Sequence, residues 1–118
     1  MSKEAAAAVI GTCFHTRTNA HILHLKSRSY AQHTALGCFY EELIPLVDCF
    51  AETYMGKHGM IETYATRFVA QADPLKMIAD FITKIEGEYN AFSPTCRAVL
   101  DDILALAYST QYKLKTLK

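Results

Sequence analysis

The sequence predicts a single all-α domain folded as an antiparallel four-helix bundle. Its 118 residues suffice for one domain and are too few for two. Only three Pro and five Gly interrupt the chain, and its apolar residues recur at helical spacing without β-type alternation. Serine and aspartate signals for helix starts divide it into four long segments with short links, which is typical of antiparallel bundles. We therefore expect residues 1–118 to form one helical-bundle domain.

The first two helices are predicted from apolar spacing and one start signal. Apolar residues at helical spacing predict the first helix over about residues 3–26. Ser29 followed three residues later by Gln32 reads as a capping box, and it predicts the start of a second helix that ends near Met55. Pro45 lies inside that helix. Because proline lacks a backbone N–H, we expect a kink or a break there.

The second half of the chain carries two further start signals. Asp73-Pro74 and Ser93-Pro94 each place a capping residue directly before a proline, as at the first turn of many helices. They predict a third and a fourth main helix. Residues 60–72 have no such signal, but their composition predicts a short connecting helix between the second and third main helices.

The chain has more apolar positions than a single small bundle needs to bury. They surround the second and the fourth main helix. The residues concerned are Ile44, Leu46, Val47 and Phe50, and Ile103, Leu104 and Leu106. The surplus predicts an apolar face between subunits, so we expect a homo-oligomer that is at least a dimer.

Composition excludes several classes of function. Twelve basic and twelve acidic residues give no net charge, which argues against generic nucleic-acid binding. No apolar run approaches a membrane span of about 18 residues, and the start lacks the pattern of a signal peptide. The four Cys form no CxxC pair, so we expect reduced thiols and a cytoplasmic location. No phosphate-binding loop, metalloprotease motif or nucleophile elbow occurs, which favours a binding protein over an enzyme.

Charge is unevenly distributed along the chain. The stretch from Ala5 to Tyr40 contains no Asp or Glu but holds four of the five histidines. Arginine and histidine donate hydrogen bonds to phosphate, and tyrosine can stack on a base, so this stretch predicts a pocket for an anionic, nucleotide-like small molecule. The candidate ligand-binding residues are Arg17, His21, His24, Lys26, Arg28, Tyr30, His33 and Tyr40.

A second pattern combines histidines with carboxylates. The spacing His21-x11-His33-x14-Asp48-x3-Glu52 resembles that of the mini-ferritins, the DNA-protecting proteins of starved bacterial cells. The resemblance implies a ferritin-like bundle in which two His of one subunit and the acidic residues of its two-fold mate hold iron. Gly37 stands where that family has an Asp ligand. This alternative makes the protein an iron binder or ferroxidase with His21, His33, Asp48 and Glu52 as ligands.

The whole chain also resembles small ferritin-like proteins of tailed phages. That resemblance implies action in the cytoplasm of a host bacterium. Our leading hypothesis is a non-enzymatic protein, without a cofactor, that sequesters an anionic signal molecule of the host between its subunits. Two alternatives stay open: the iron protein, and a structural or host-interaction protein whose polar residues form only its interface. Thus the expected partners are a second copy of the chain and, in the leading hypothesis, a small anion.

Overall fold

The computed structural model describes residues 2–64 and 67–118, and over those residues the chain is helical with no strand. The main helices are α1 (Ser2–Lys26), α2 (Tyr30–His58), α3 (Pro74–Glu88) and α4 (Pro94–Thr116), and one turn of 3-10 helix spans Tyr89–Ala91. The predicted all-α class and the four main helices are therefore confirmed. No helix in these residues is long and apolar enough to cross a membrane.

The link between α1 and α2 contains half of the predicted capping box. The Ser29 hydroxyl accepts a hydrogen bond from the Gln32 backbone N–H at 3.2 Å, as expected. The Gln32 side chain does not return to the Ser29 N–H; its Oε1 accepts from the Ser27 hydroxyl at 2.7 Å. The Ser29 N–H instead donates to Ser27 Oγ at 3.2 Å. Ser27 thus completes the cap that the sequence assigned to Gln32.

Helix α2 is longer and less interrupted than expected. It continues through Pro45 without a break, and Pro45 is exposed, so water can reach the Glu41 carbonyl that loses its helical partner. The helix ends at His58 and is capped by Gly59, whose φ of 94° lies in the left-handed region that favours glycine. The Gly59 N–H donates to the Met55 carbonyl at 2.8 Å. The expected end near Met55 was therefore about one turn too early.

The predicted connecting helix over residues 60–72 is wrong for the residues described there. Residues 60–64 and 67–72 are not helical, and Ala65 and Thr66 lie outside the described residues. The side chain of Asn19 explains the difference over residues 67–72, which we call the strap. Asn19 Nδ2 donates to the Val69 carbonyl at 3.0 Å, and the Gln71 N–H donates to Asn19 Oδ1 at 2.9 Å. These bonds to α1 take the place of bonds within a local helix.

The starts of α3 and α4 look alike in sequence but differ in structure. Asp73 Oδ1 accepts from the Leu75 N–H at 3.1 Å, which satisfies one of the free amides at the start of α3. Ser93 occupies the equivalent position before α4, yet its hydroxyl is buried and has no hydrogen-bond partner among the described residues. Both starts were predicted correctly, and only the first gains a side-chain cap.

The core is closed by aromatic residues from α2, α3 and the α3–α4 link. Phe39 meets Phe81 edge to face at 5.6 Å, and Phe50 meets Phe92 in the same way at 5.2 Å. Helix α1 packs on α2 and α3, and α4 packs on the same two helices. Of the surplus apolar residues, Ile103 is buried and Leu104 and Leu106 are half-buried within this one chain, whereas Ile44 remains exposed.

Candidate functional site

A shallow cavity of about 290 Å³ lies between the outer faces of α1 and α2. We call it the Arg17 groove; its lining residues are Cys13, Phe14, Arg17, Ile44 and Val47. Phe14 and Ile44 form its open rim and are 45% and 42% exposed, although both are large and apolar. The groove is therefore an apolar surface that contains a single cationic side chain.

Arg17 is half-buried in this groove and has no partner in the described residues. Neither a hydrogen bond nor an ion pair engages its guanidinium. The cause is local, since α1 has no acidic residue after Glu4. A guanidinium carries five N–H donors in a planar fork that matches a phosphate or a carboxylate. Arg17 thus leaves these donors available at the edge of an apolar floor.

Cys13, at the floor of the groove, is chemically inert. Its side chain is completely buried, and burial raises the pKa of the thiol far above its ordinary value. The thiol therefore stays protonated at neutral pH and is a poor nucleophile. The groove can bind a ligand, but it offers no reactive sulfur.

A ladder of aromatic rings continues from the groove along α1 and α2. The His21 ring stacks on the Tyr40 ring at 4.2 Å with an interplanar angle of 15°. The His24 ring stacks on the His33 ring at 3.7 Å and meets Tyr40 edge-on at 5.4 Å. Four predicted site residues are therefore brought together, but they are packed largely against one another.

His24 and His33 form a reciprocal pair that we call the histidine clasp. His24 Nδ1 lies 2.6 Å from the His33 carbonyl oxygen, and His33 Nδ1 lies 2.8 Å from the His24 carbonyl oxygen. Because a carbonyl oxygen only accepts hydrogen bonds, both Nδ1 atoms must carry the proton. In the neutral rings Nε2 is then an acceptor, and it cannot donate to a phosphate. The clasp ties the end of α1 to the start of α2.

The clasp explains why glycine occupies position 37. A Cβ atom built on Gly37 would lie 3.0 Å from Cε1 and 3.1 Å from Nδ1 of His24. Those distances are shorter than ordinary van der Waals contact. The ring of His24 fits against α2 because Gly37 has no side chain.

The remaining predicted ligand residues lie around the α1–α2 link. Lys26 and Arg28 are exposed, and Tyr30 is 83% exposed. None of the three lines the Arg17 groove, and neither do the four residues of the ring ladder, so Arg17 is the one candidate ligand residue in its lining. A contribution of the other seven to ligand binding stays a prediction.

The four residues of the iron alternative do not form one cluster in a single chain. Across residues 2–64 and 67–118, no group of three or more His, Cys, Asp or Glu side chains could hold a metal ion. His21 and His33 belong to the ring ladder, whereas Asp48 and Glu52 are exposed on α2. An iron site from these residues would need ligands from two chains, as the resemblance to the mini-ferritins implies.

A family model matches residues 24–114, which is most of the chain. Its description is a family of unknown function, DUF5856. The chain belongs to DUF5856. A curated relative is 30% identical over 96 residues, covering 80% of this chain and 75% of its own length. It is described as an uncharacterized 14.6 kDa protein in the mobD-ri intergenic region of Enterobacteria phage T4. No solved structure matches the chain.

The DUF5856 match contains both residues of the histidine clasp and Gly37, and it begins beyond Arg17 and His21. The phage T4 relative agrees with the expected similarity to small phage proteins. Sequence reasoning overlooked Asn19, which is buried within α1 and holds the strap. An amide at a core-facing position of a helix was the available signal, because a buried amide requires hydrogen-bond partners.

Proposed function

We propose that the protein is a non-enzymatic binding protein that holds an anionic, nucleotide-like small molecule in the Arg17 groove. One observation carries the proposal: the guanidinium of Arg17 is half-buried beside an apolar floor and has no partner in the described residues. Bringing a cation into such surroundings is costly unless an anion accompanies it. A phosphate group would supply that anion.

The apolar part of the groove suits the rest of such a ligand. The ring of Phe14 is 45% exposed at the rim, where a base could stack on it. The volume of about 290 Å³ is at the lower end of that of small-molecule sites. Since the groove is open on one side, a second copy of the chain is needed to surround the ligand.

We further propose that the bundle is ferritin-like and antiparallel. Helices α1 and α2 are joined by a three-residue link, whereas α2 and α3 are joined by the long connection over residues 59–73. Each of α1 and α4 packs on both α2 and α3. This order of neighbours, with one long crossover, supports the ferritin-like connectivity.

Self-association through the outer faces of α1 and α2 is part of the proposal. The exposed apolar residues of α1 include Phe14, Ile22 and Leu25, and Ile44 lies opposite on α2. The exposed carboxylates of α2 complement the cations of α1, so two copies can pair face to face. Light scattering should therefore show at least a dimer at micromolar concentration. A strict monomer would contradict this part of the proposal.

The phage T4 relative indicates where such binding would be useful. In the cytoplasm of an infected bacterium, a tight binder of a cyclic nucleotide or cyclic ADP-ribose would keep this signal from its host effector. Sequestration needs affinity and a sufficient amount of protein, and it requires no turnover. The ligand should therefore be released intact when the protein is denatured.

Calorimetry against a panel of cyclic oligonucleotides and ADP-ribose derivatives tests the proposal. Arg17→Gln should weaken the binding of a panel ligand at least about 30-fold, because it breaks a buried charge pair. Lys115→Gln removes an exposed charge on α4 and serves as the control, with unchanged affinity. Equal affinities of the two variants, a panel without any binder, or release of a cleaved product would each overturn the proposal. Iron oxidation that is lost in Glu52→Ala would favour the iron alternative.

A further inference from the structure

A second cavity, of about 560 Å³, lies on the side of α1 away from the Arg17 groove. We call it the strap cavity, because α1, the strap with Asp73, and α3 enclose it. Residues at positions 12, 15, 16 and 19 of a helix share one face, whereas positions 14, 17 and 21 share the opposite face. The two cavities therefore have separate linings.

The wall formed by the strap is fixed by specific bonds. The Asn19 amide holds the Val69 carbonyl at 3.0 Å and the Gln71 N–H at 2.9 Å, and Asn19 itself is 3% exposed. The His15 ring meets the Phe68 ring edge to face at 5.9 Å. Because these contacts hold the strap against α1 from both ends, the cavity is shaped before any ligand arrives.

The carboxylates that line the strap cavity are already engaged. Asp73 Oδ1 accepts from the Leu75 N–H at 3.1 Å. Asp80 accepts from Lys76 Nζ at 3.0 Å in an ion pair within α3. Each acid thus has one hydrogen-bond partner, and Lys84 is the lysine of the lining that has none in the described residues.

The polar side chains that remain uncommitted can all donate hydrogen bonds. Lys84 and Thr12 line the cavity without a hydrogen bond or ion pair in the described residues. Thr16 is only 6% exposed, and its hydroxyl has no hydrogen bond there either. The ring nitrogens of His15 are similarly free of hydrogen bonds. An ammonium, two hydroxyls and an imidazole that line one cavity form a donor set for an oxyanion.

We propose that the strap cavity is a second binding site, which takes the phosphate or carboxylate group of a small metabolite. Lys84 supplies the charge, and the hydroxyl of Thr16, a residue that is 6% exposed, supplies a second donor. The volume exceeds that of an isolated phosphate, so the site accommodates an organic body attached to the anion. The proposal does not depend on the Arg17 groove, since the two sites share no residue.

Nuclear magnetic resonance titration of the full chain tests this site. Inorganic phosphate and acetate are added separately, and the backbone amide shifts of ¹⁵N-labelled protein are followed. Saturable shifts are expected at Thr12, His15, Thr16 and Asn19 of α1 and at residues 67–73. The probe with the lower dissociation constant shows which anion the site prefers, because phosphate and carboxylate differ in charge and in the number of acceptor oxygens.

Two variants and one control assign the binding to the cavity. Lys84→Gln and Thr16→Val should each weaken it about tenfold or more, because each removes one donor to a charged group. Lys57→Gln removes an exposed lysine of α2 and is the control that should leave these shifts unchanged. If Thr16→Val disturbs folding, the affinity of Lys84→Gln alone shows whether the anion binds in the strap cavity. Absence of saturable shifts, or an unchanged affinity in Lys84→Gln, would overturn the proposal, whereas a loss confined to Arg17→Gln would locate the anion in the Arg17 groove.

Discussion

Replacing Gly37 by alanine tests how tightly the histidine clasp is packed. Within a helix, alanine is favoured over glycine by about 1 kcal/mol, so helix propensity alone predicts a more stable protein. The new methyl group would lie 3.0 Å from Cε1 of His24, where carbon atoms normally keep at least about 3.5 Å. The ring must therefore move by a few tenths of an ångström.

The clasp leaves the His24 ring little room for this movement. Its Nδ1 is held at 2.6 Å from the His33 carbonyl oxygen, and its ring centroid lies 3.7 Å from that of His33. Overpacking costs about 1–3 kcal/mol, and a lost hydrogen bond adds about 1 kcal/mol. After subtraction of the propensity gain, Gly37→Ala should lower the free energy of unfolding by about 1–3 kcal/mol.

Gly56 provides a matched control in the same helix. A Cβ atom built there has no neighbour within 4 Å, so Gly56→Ala should raise the free energy of unfolding by up to about 1 kcal/mol. Urea denaturation at one protein concentration, followed by circular dichroism, measures both variants. In a His24→Ala background the clash is absent, and Gly37→Ala should become neutral or stabilising. Wild-type stability or better for Gly37→Ala in the native background would refute the reasoning.

Three further predictions concern the strap, the helix caps and the buried thiol. Asn19→Ala should cost about 2–4 kcal/mol, because two hydrogen bonds to the strap are lost, and hydrogen exchange should show a loss of protection at the Gln71 amide. Asp73→Ala should lower the free energy of unfolding by about 1 kcal/mol, because it removes the cap bond to the Leu75 N–H. Ser93→Ala should leave that free energy unchanged or raise it, because the Ser93 hydroxyl makes no cap bond. Urea denaturation measures both variants. Burial raises the pKa of the Cys13 thiol above its ordinary value of 9.0. Above pH 9.0 the unfolded chain therefore loses a proton that the folded chain keeps, and the free energy of unfolding should fall as the pH rises. The free energy of unfolding, measured by urea denaturation below and above pH 9.0, should fall less in Cys13→Ala than in the wild type. An equal fall in both proteins would contradict this assignment.

The starts of the main helices could be predicted from sequence because their signals are local. Asp73 and Ser93 stand immediately before the helices they announce, and Ser29 stands immediately before α2. Such signals depend on a few neighbouring residues, so they remain valid whatever the rest of the chain does. The same signals could not show that Asp73 makes a cap bond and Ser93 does not, because that difference depends on the surroundings of the Ser93 hydroxyl.

The prediction of a connecting helix was wrong because a residue distant in sequence determines the conformation of residues 67–72. The apolar spacing of residues 60–72 is compatible with a helix, but the Asn19 side chain binds the backbone of Val69 and Gln71. Interactions across about fifty positions are invisible to a reading of local pattern. Tertiary hydrogen bonds therefore outweighed the local preference.

The candidate site was only partly accessible to sequence reasoning. The acid-free stretch drew attention to Arg17, which has no hydrogen-bond or ion-pair partner in the described residues, but its role in binding stays a prediction. The reciprocal bonding of His24 and His33 requires the geometry of the α1–α2 link, which spacing alone does not give. The same holds for Gly37, whose importance follows from the position of one ring.

The two sets of tertiary contacts made by α1 differ in how much chain must be ordered before they can form. The bonds between His24 and His33 close a loop of nine residues, whereas those of Asn19 close loops of 50 and 52. Closing the larger loop costs about 1.5 kcal/mol more in chain entropy. The hairpin of α1 and α2 is therefore expected to assemble first, already while the rest of the chain leaves the ribosome. The strap attaches later, and until α3 and α4 cover the apolar side of the hairpin, the hairpin depends on its own histidine contacts.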